Sequence, residues 1–403
     1  MSLHETVSAE RLHIAFFGKR NAGKSSLVNA VTGQRLSVVS PVKGTTTDPV
    51  QKAMELLPLG PVVIIDTPGY DDTGELGELR VEKTNEVLNK TDVAVLVFDG
   101  SVGMTPDDDS LLETIRTRKL PVILVANKCD LPAVKTAGAQ KPSTEPIWVS
   151  AITGEGINEL KERLADLGRT AKSPKYILAD LVSPGDAVLL VIPIDESAPK
   201  GRLILPQQQT LRELLDLHCI PICCQVEEIP TILVGLMSPP RLVVTDSQVF
   251  GCVSPLVPAR IPLTSFSILF ARYKGQLATL AAGAKALAEL RDGDRVLISE
   301  GCTHHRQCND IGTVKIPDWV RRYTGKELTF SFTSGGEFPT DLREYALVIH
   351  CGGCMLNEAA MQHRMETARN ACVPMVNYGV AIAQMHGILS RSLEPFSEEL
   401  SNS

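Results

Sequence analysis

The sequence predicts an α/β protein in three parts. An N-terminal P-loop domain is followed by a small α/β middle domain and a C-terminal α/β domain whose mainly parallel sheet carries a metal site. Three observations predict it. An apolar run at residues 13–17 feeds the glycine loop Gly18-Lys-Arg-Asn-Ala-Gly23-Lys24-Ser25, and a helical pattern follows. Further short apolar runs, read as buried strands, end in polar motifs. Two groups of soft ligands, Cys302-Thr-His304 and His350-Cys351-Gly-Gly-Cys354, each follow such a run.

The glycine loop comes first because its context is complete. In a strand–loop–helix unit, consecutive backbone N–H groups and the helix N-terminus face phosphates. Asn21, Ala22, Gly23, Lys24, Ser25 and Ser26 then line a nucleotide's phosphates, with Lys24 reaching the β and γ oxygens and the Ser25 hydroxyl on Mg²⁺. A glycine-rich turn without a ligand is the plainer alternative, and the flanking strand and helix argue against it. Gly33 is placed to cap the helix C-terminus.

Three more elements follow in order. Residues 62–66 form a strand ending in Asp66-Thr-Pro-Gly69; Asp66 is placed to hold Mg²⁺ through water and the Gly69 amide to meet a γ-phosphate. Residues 121–126 form a strand ending in Asn127-Lys128-Cys129-Asp130. A carboxylate at Asp130 accepts two N–H bonds from a guanine edge, whereas adenine would leave it unpaired, so the nucleotide is GTP. A strand at 147–149 ends at Ser150 and Ala151, where a backbone amide meets the guanine oxygen. Strand ends gathered on one side of an open α/β sheet form its ligand crevice.

At these residues the chain resembles translation-factor-related GTPases, in the branch of tRNA-modification and ribosome-assembly enzymes. The resemblance implies a first switch at Gly44-Thr-Thr46-Thr-Asp48, with Thr46 sensing Mg²⁺, although Thr47 stands where that branch usually has arginine. Tyr70 follows Gly69 where Ras-like proteins carry their water-orienting glutamine. Asn21 matches the asparagine that holds K⁺ in potassium-activated members, where the ion stabilises charge between the β- and γ-phosphates. Slow, K⁺-stimulated GTP hydrolysis is therefore expected, with Lys24, Asn21, Thr46 and Asp66 as its catalytic set. The plainer reading of Asn21 is a loop residue that tolerates positive φ. Asp71, Asp72 and Glu75 are candidates to position the water, against the plainer reading of solvated loop charge.

Composition bounds the rest. The chain has 403 residues, 43% of them hydrophobic, which supports two or three cored domains. A formal charge of −7 does not advertise nucleic acid or an anionic membrane as partner. The first residues lack the layout of a signal peptide, and no apolar stretch approaches the ~20 residues of a membrane span. Ten cysteines in such a chain read as thiols or metal ligands rather than disulfides. A cytoplasmic protein is expected.

The GTPase domain is expected over residues 1–170, with 131–146 a surface loop inside it and 168–174 a linker. A middle domain is expected over 175–260, with strands at 187–194 and 241–246 and a helix around 211–217. Its Cys219, Cys223, Cys224 and Cys252 lie among apolar residues without a second ligand pair, so they read as buried thiols. A second linker lies near 254–262. The last domain, 263–403, is expected to have strands at 264–270, 294–299, 328–332 and 345–349, and an alanine-rich helix over 275–290. Cys302 and His304 follow the second strand, and His350, Cys351 and Cys354 the fourth. Three thiolates with an imidazole suit tetrahedral zinc; three cysteines equally suit a 4Fe–4S cluster with one iron left for another ligand. Spacing does not choose between them.

Taken whole, the chain resembles the HydF family, GTPase maturases of FeFe-hydrogenase. The resemblance implies that Cys302, Cys351 and Cys354 ligate a 4Fe–4S cluster, supported or completed by His304 or His350; Glu300, His305 and Cys308 are further candidates nearby. It implies a dimerising middle domain, and a scaffold that carries a diiron unit to apo FeFe-hydrogenase after radical-SAM maturases act upstream. Two competing readings are a tRNA-modification or ribosome-assembly GTPase with a structural zinc site, and a zinc-stabilised interaction module.

Overall fold

The computed structural model describes residues 8–34, 49–69, 75–131, 145–171, 175–194, 203–274, 277–302 and 310–401. Thr46, Tyr70, Asp71, Asp72, His304, His305 and Cys308 lie outside the described residues, as does most of the expected loop at 131–146. The chain divides into two compact units, one spanning residues 1–174 with 357–360, the other 175–356 with 361–403.

The first unit is built on six strands: β1 (Leu12–Phe17), β2 (Val50–Leu56), β3 (Gly60–Asp66), β4 (Val93–Asp99), β5 (Val122–Asn127) and β6 (Ile147–Trp148), in the sheet order β2-β3-β1-β4-β5-β6. All neighbours are parallel except β2, which pairs antiparallel with β3 at the edge. The side-chain period of two sorts each strand between two cores. Ile14, Phe16, Val62, Ile64, Val93 and Val95 face Leu27, Val28, Leu160 and Leu164 of helices Lys24–Thr32 and Ile157–Ala171. Ala15, Phe17, Val63, Ile65, Ala94 and Leu96 face Val87, Leu111, Leu112 and Ile115 of helices Glu75–Leu88 and Pro106–Thr117. Both faces are covered, so the central strands read as unbroken apolar runs. A Leu or Ile cut to Ala in these strands costs about 2–5 kcal/mol.

Two elements here differ from expectation. The helix that starts at Ile157 runs to Ala171, into the expected linker, because Leu160 and Leu164 bury one of its faces. The edge strand β2 had no clear apolar pattern to reveal it: most of its residues are exposed.

The second unit holds two parallel four-stranded sheets. Strands β7 (Ala187–Val191), β8 (Ile220–Cys224), β9 (Leu242–Thr245) and β10 (Leu263–Ser265) run in the order β10-β9-β7-β8. Strands β11 (Arg295–Ser299), β12 (Thr329–Thr333), β13 (Leu347–His350) and β14 (Met375–Asn377) run in the order β12-β11-β13-β14. One continuous core, from Ile177 to Phe396, underlies both. Arg272 also ties the ends of this unit together, bonding Asp180 through Nη2 and Glu399 through Nε, each at 2.5 Å.

The expected strand at 264–270 is corrected. The strand stops at Ser265, whose hydroxyl accepts the Ile268 N–H and so caps a helix, Phe266–Tyr273. The single helix expected over 275–290 is two, Leu277–Gly283 and Ala286–Glu289. At Gly283 a Cβ would stand 2.0 Å from the Met375 carbonyl oxygen, so β14 can press on the helix only where no side chain intervenes. The middle cysteines also divide: Cys219 and Cys224 are buried, whereas Cys223 and Cys252 are exposed. The described cysteines are all thiols. No helix among the described residues is long and apolar enough to cross a membrane.

Candidate functional site

Strand β1 lies between β3 and β4: the chain leaves β1 toward the β2 edge and leaves β3 toward the opposite side, so the loop after β1 opens at the point where ligands bind such sheets. Gly23 begins the following helix at φ 88°, and a Cβ on it would stand 2.2 Å from Asn127 Nδ2. Only glycine fits that approach. Lys24 is buried, and its ammonium donates to the carbonyls of Gly18 (2.7 Å) and Lys19 (2.9 Å), which holds it at the loop.

Ser25 and Asp66 meet: the hydroxyl donates to Oδ2 at 2.6 Å. Asp66 is 3% exposed, and its other oxygen, Oδ1, is buried without a hydrogen-bond partner in the described structure. A buried carboxylate oxygen left unpaired is costly. Its position beside a hydroxyl at the head of a phosphate loop fits a hard divalent cation, which takes oxygen donors. These residues therefore suit Mg²⁺.

The base-side motifs are placed by one side chain. Asn127 is buried; its Nδ2 donates to the Ala22 carbonyl at 2.9 Å and its Oδ1 accepts the Ala151 N–H at 3.2 Å. Lys128 sits at φ 67° and donates to Asp99 Oδ2 at 2.6 Å. Burial works against ionisation of Asp99, but bonds from Lys128 and Ser101 hold its carboxyl below the ordinary value. Asp130 is exposed, open to a ligand edge, and Ser150 is fully buried, its Oγ accepting the N–H of Ile152 and Thr153. Asn21 is exposed at φ 65° and Ser26 half-buried; Gly69 packs so closely on Arg20 that a Cβ would lie 2.6 Å from its amide. Asp99 was not singled out in the sequence, although it ends an apolar run as Asp66 does.

In the last sheet, β11 and β13 are the central pair, with Ser299 registered against His350. The chain leaves them toward opposite edges, so the crevice again falls at their carboxyl ends. There the thiols gather. Cys351 Sγ accepts the Gly301 N–H at 3.0 Å and the Gly353 N–H at 3.4 Å. Burial, then the charges of Cys354 and Cys302, push its thiol up to about 12 against those two bonds. Burial also raises Cys354, opposed by the charge of Lys274. Three thiolates so close would repel one another, and a cation removes that cost while releasing their protons. The donor set suits a soft metal centre, tetrahedral zinc or an iron–sulfur cluster alike. Among the described residues no group of three or more His, Cys, Asp or Glu side chains is closed up to hold a metal ion. The thiols are thus neighbours rather than a finished cage.

His350 stands differently from expectation. It is fully buried; Nδ1 bonds the Cys351 carbonyl at 2.7 Å, and Nε2 meets Arg364 Nη1 at 2.8 Å. Burial, then the guanidinium, push its pKa down to about 3, so the ring is neutral. A neutral ring that donates at one nitrogen and accepts at the other keeps no lone pair for a metal. Its place is behind Cys351, fixing the backbone of a ligand loop. Glu300 is also buried and accepts the Tyr378 hydroxyl at 3.2 Å.

Fold and site define a P-loop GTPase, and comparison with known proteins agrees. Residues 13–128 match the family described as 50S ribosome-binding GTPase. Residues 177–275 match the hydrogen maturase F dimerization domain and residues 278–395 its tetramerization domain, together more than half of the chain. The chain belongs to the HydF family of hydrogenase maturase GTPases, and it carries that family's oligomerisation domains.

Two curated relatives and a solved structure are similar to part of the chain. It is 34% identical over 165 residues to the tRNA modification GTPase MnmE of Nitrosospira multiformis, covering 39% of this chain and 35% of that protein. The figure is 38% over 161 residues for MnmE of Prochlorococcus marinus, covering 39% and 34%. The chain thus spans about a third of the length of these curated relatives. The crystal structure of Era from Aquifex aeolicus bound to GDP and aluminium fluoride aligns at a TM-score of 0.34 and 23% identity, over 52% of this chain and 91% of that one.

Proposed function

We propose that this maturation GTPase is a scaffold that holds a 4Fe–4S cluster on Cys302, Cys351 and Cys354 and assembles or delivers the diiron subcluster of FeFe-hydrogenase. The observation that carries the reading is the meeting of three thiols at the two central strand ends of the maturase portion. The cluster would supply a one-electron couple and an iron without a protein thiol. Around it, Gly301 and Gly353 donate to sulfur, and His350 fixes the Cys351 loop from behind. Apo FeFe-hydrogenase is the recipient, radical-SAM maturases act upstream, and the scaffold works as a cytoplasmic homodimer.

At the nucleotide, Lys24 leaves its loop carbonyls for the β and γ oxygens, and Ser25 and Asp66 hold Mg²⁺. Asp130 reads guanine, and Thr46 reports the γ-phosphate. Asn21 holds K⁺, which takes the part of an arginine finger. Hydrolysis is slow and times partner engagement. The likeness to tRNA-modification GTPases stops with the GTPase portion, which leaves the RNA reading unsupported over the remaining residues.

Anaerobic reconstitution with iron and sulfide, followed by metal analysis and EPR of the reduced protein, tests the cluster. About four irons per chain are expected, with a signal lost in Cys302→Ala. One tightly held zinc with no iron signal overturns it. Co-expression with the other maturases should add a diiron signature, and its absence overturns the cargo.

A further inference from the structure

Two buried cations stand at the three-thiol site. Arg364, on helix Glu358–Asn370, is 3% exposed. Its Nη1 donates to Ser299 Oγ at 3.1 Å and to His350 Nε2 at 2.8 Å; its Nη2 donates to the Gly335 carbonyl at 2.5 Å and reaches the Glu337 carbonyl at 3.5 Å. The Phe338 ring lies 5.0 Å from its Cζ. Ser299 ends β11 and His350 ends β13, while Gly335, just past β12, gives its own N–H to the Cys302 carbonyl at 3.2 Å. One guanidinium therefore grips every strand end from which the thiols hang.

All of those partners are neutral. No carboxylate among the described residues pairs with Arg364, and the acidic group that acts on it electrostatically is Cys351. A buried guanidinium without an anion is expensive, and breaking up such a pair is worse than never burying it. The second cation is Lys274, 6% exposed, which donates to the Leu356 carbonyl at 2.9 Å, two residues beyond Cys354. Its charge bears on the Cys354 thiol. The buried carboxylates of this region are hydrogen-bonded: Glu300 accepts the Tyr378 hydroxyl, and Asp310 accepts the N–H and hydroxyl of Thr313.

We propose that Arg364 and Lys274 are the counter-cations of the three-thiol site, matched to a net-negative thiolate cluster, and that Arg364 also positions the strand ends that bear the thiols. The inference rests on the cluster reading above. A thiolate-ligated cluster is anionic and more so when reduced, so two desolvated positive charges favour its reduced form. Removing either charge makes reduction harder.

The test uses the full chain, reconstituted anaerobically, as wild type and as Arg364→Gln, Arg364→Lys and Lys274→Met. Iron per chain and the midpoint potential from an EPR-monitored redox titration are read. Arg364→Gln should lower the reduction equilibrium constant about tenfold, which is about 59 mV for one electron. Lys274→Met should shift it in the same direction. Arg364→Lys keeps the charge but loses the fork, so it should keep the potential within about threefold while losing iron faster. If Arg364→Gln does not fold, Lys274→Met carries the charge test, and an unchanged potential there overturns the inference. Wild type that loads iron while the neutral variants titrate at its own potential sinks this inference alone. Wild type that takes no iron sinks the cluster reading and the inference with it.

Discussion

Asn127 donates its side-chain amide to the carbonyl of Ala22, so the loop after β5 and the loop after β1 are fastened through one buried bond. The same side chain accepts the Ala151 N–H, which brings in the loop after β6. Removing a partner from a buried hydrogen bond costs about 1–3 kcal/mol, and here two bonds go at once. Asn127→Ala should therefore weaken GTP binding at least about tenfold. Titration with a fluorescent GTP analogue reads this, and an affinity equal to wild type would refute the fastening role.

Ser25 and Asp66 predict a metal-specific defect. Ser25→Ala should lower GTP affinity about tenfold or more in excess Mg²⁺ and far less in EDTA, because the hydroxyl acts through the ion. Equal losses in both buffers would place Ser25 on the phosphate instead.

Asn21 separates two readings of one residue. Its φ of 65° is met by glycine without strain, so Asn21→Gly keeps the loop and deletes only the amide. Hydrolysis is expected to be faster in K⁺ than in Na⁺ for wild type and equal in both for the variant. Stimulation that survives in Asn21→Gly would make the residue a turn former and nothing more.

Gly283 sets two effects of opposite sign against each other. Alanine in a helix gains roughly 0.5–1 kcal/mol over glycine. A Cβ 2.0 Å from the backbone oxygen of Met375 must move β14, and overpacking costs about 1–3 kcal/mol or more. The clash wins, so Gly283→Ala should lower the melting temperature of the unit that begins at Lys175. A calorimetric scan with no change would show that β14 yields freely.

Asp180 carries a pH signature. Hydrogen bonds from Arg272, opposed by burial, hold its carboxyl below the ordinary value. Stability from a depressed carboxyl is present above its unfolded pKa, near 3.9, and is lost as pH falls through the folded one. Asp180→Asn should accordingly melt lower than wild type at pH 6, with the gap closing below about pH 4. A gap that stays constant through acid would assign the loss to packing.

The nucleotide loop was legible because its chemistry is local: strand, glycine turn and helix are contiguous, and Asp66 and Asn127 each end an apolar run. The thiol cluster was legible for the same reason, since Cys302 and Cys351 follow strands that turn out to be neighbours. The strand expected at 264–270 failed where period fails: a run buried on all sides reads alike as strand or helix, and Ser265 decided the matter by capping. His350 looked like a ligand because it adjoins Cys351 in the sequence. Its partner, Arg364, lies in a helix of ordinary polar pattern, and nothing in that pattern marks a buried cation.

Because the sheets of β7–β10 and β11–β14 share one interior, neither can drift alone over generations. A core substitution made beneath one sheet is therefore felt beneath the other. The two maturase segments are thus expected to open and melt as one cooperative piece.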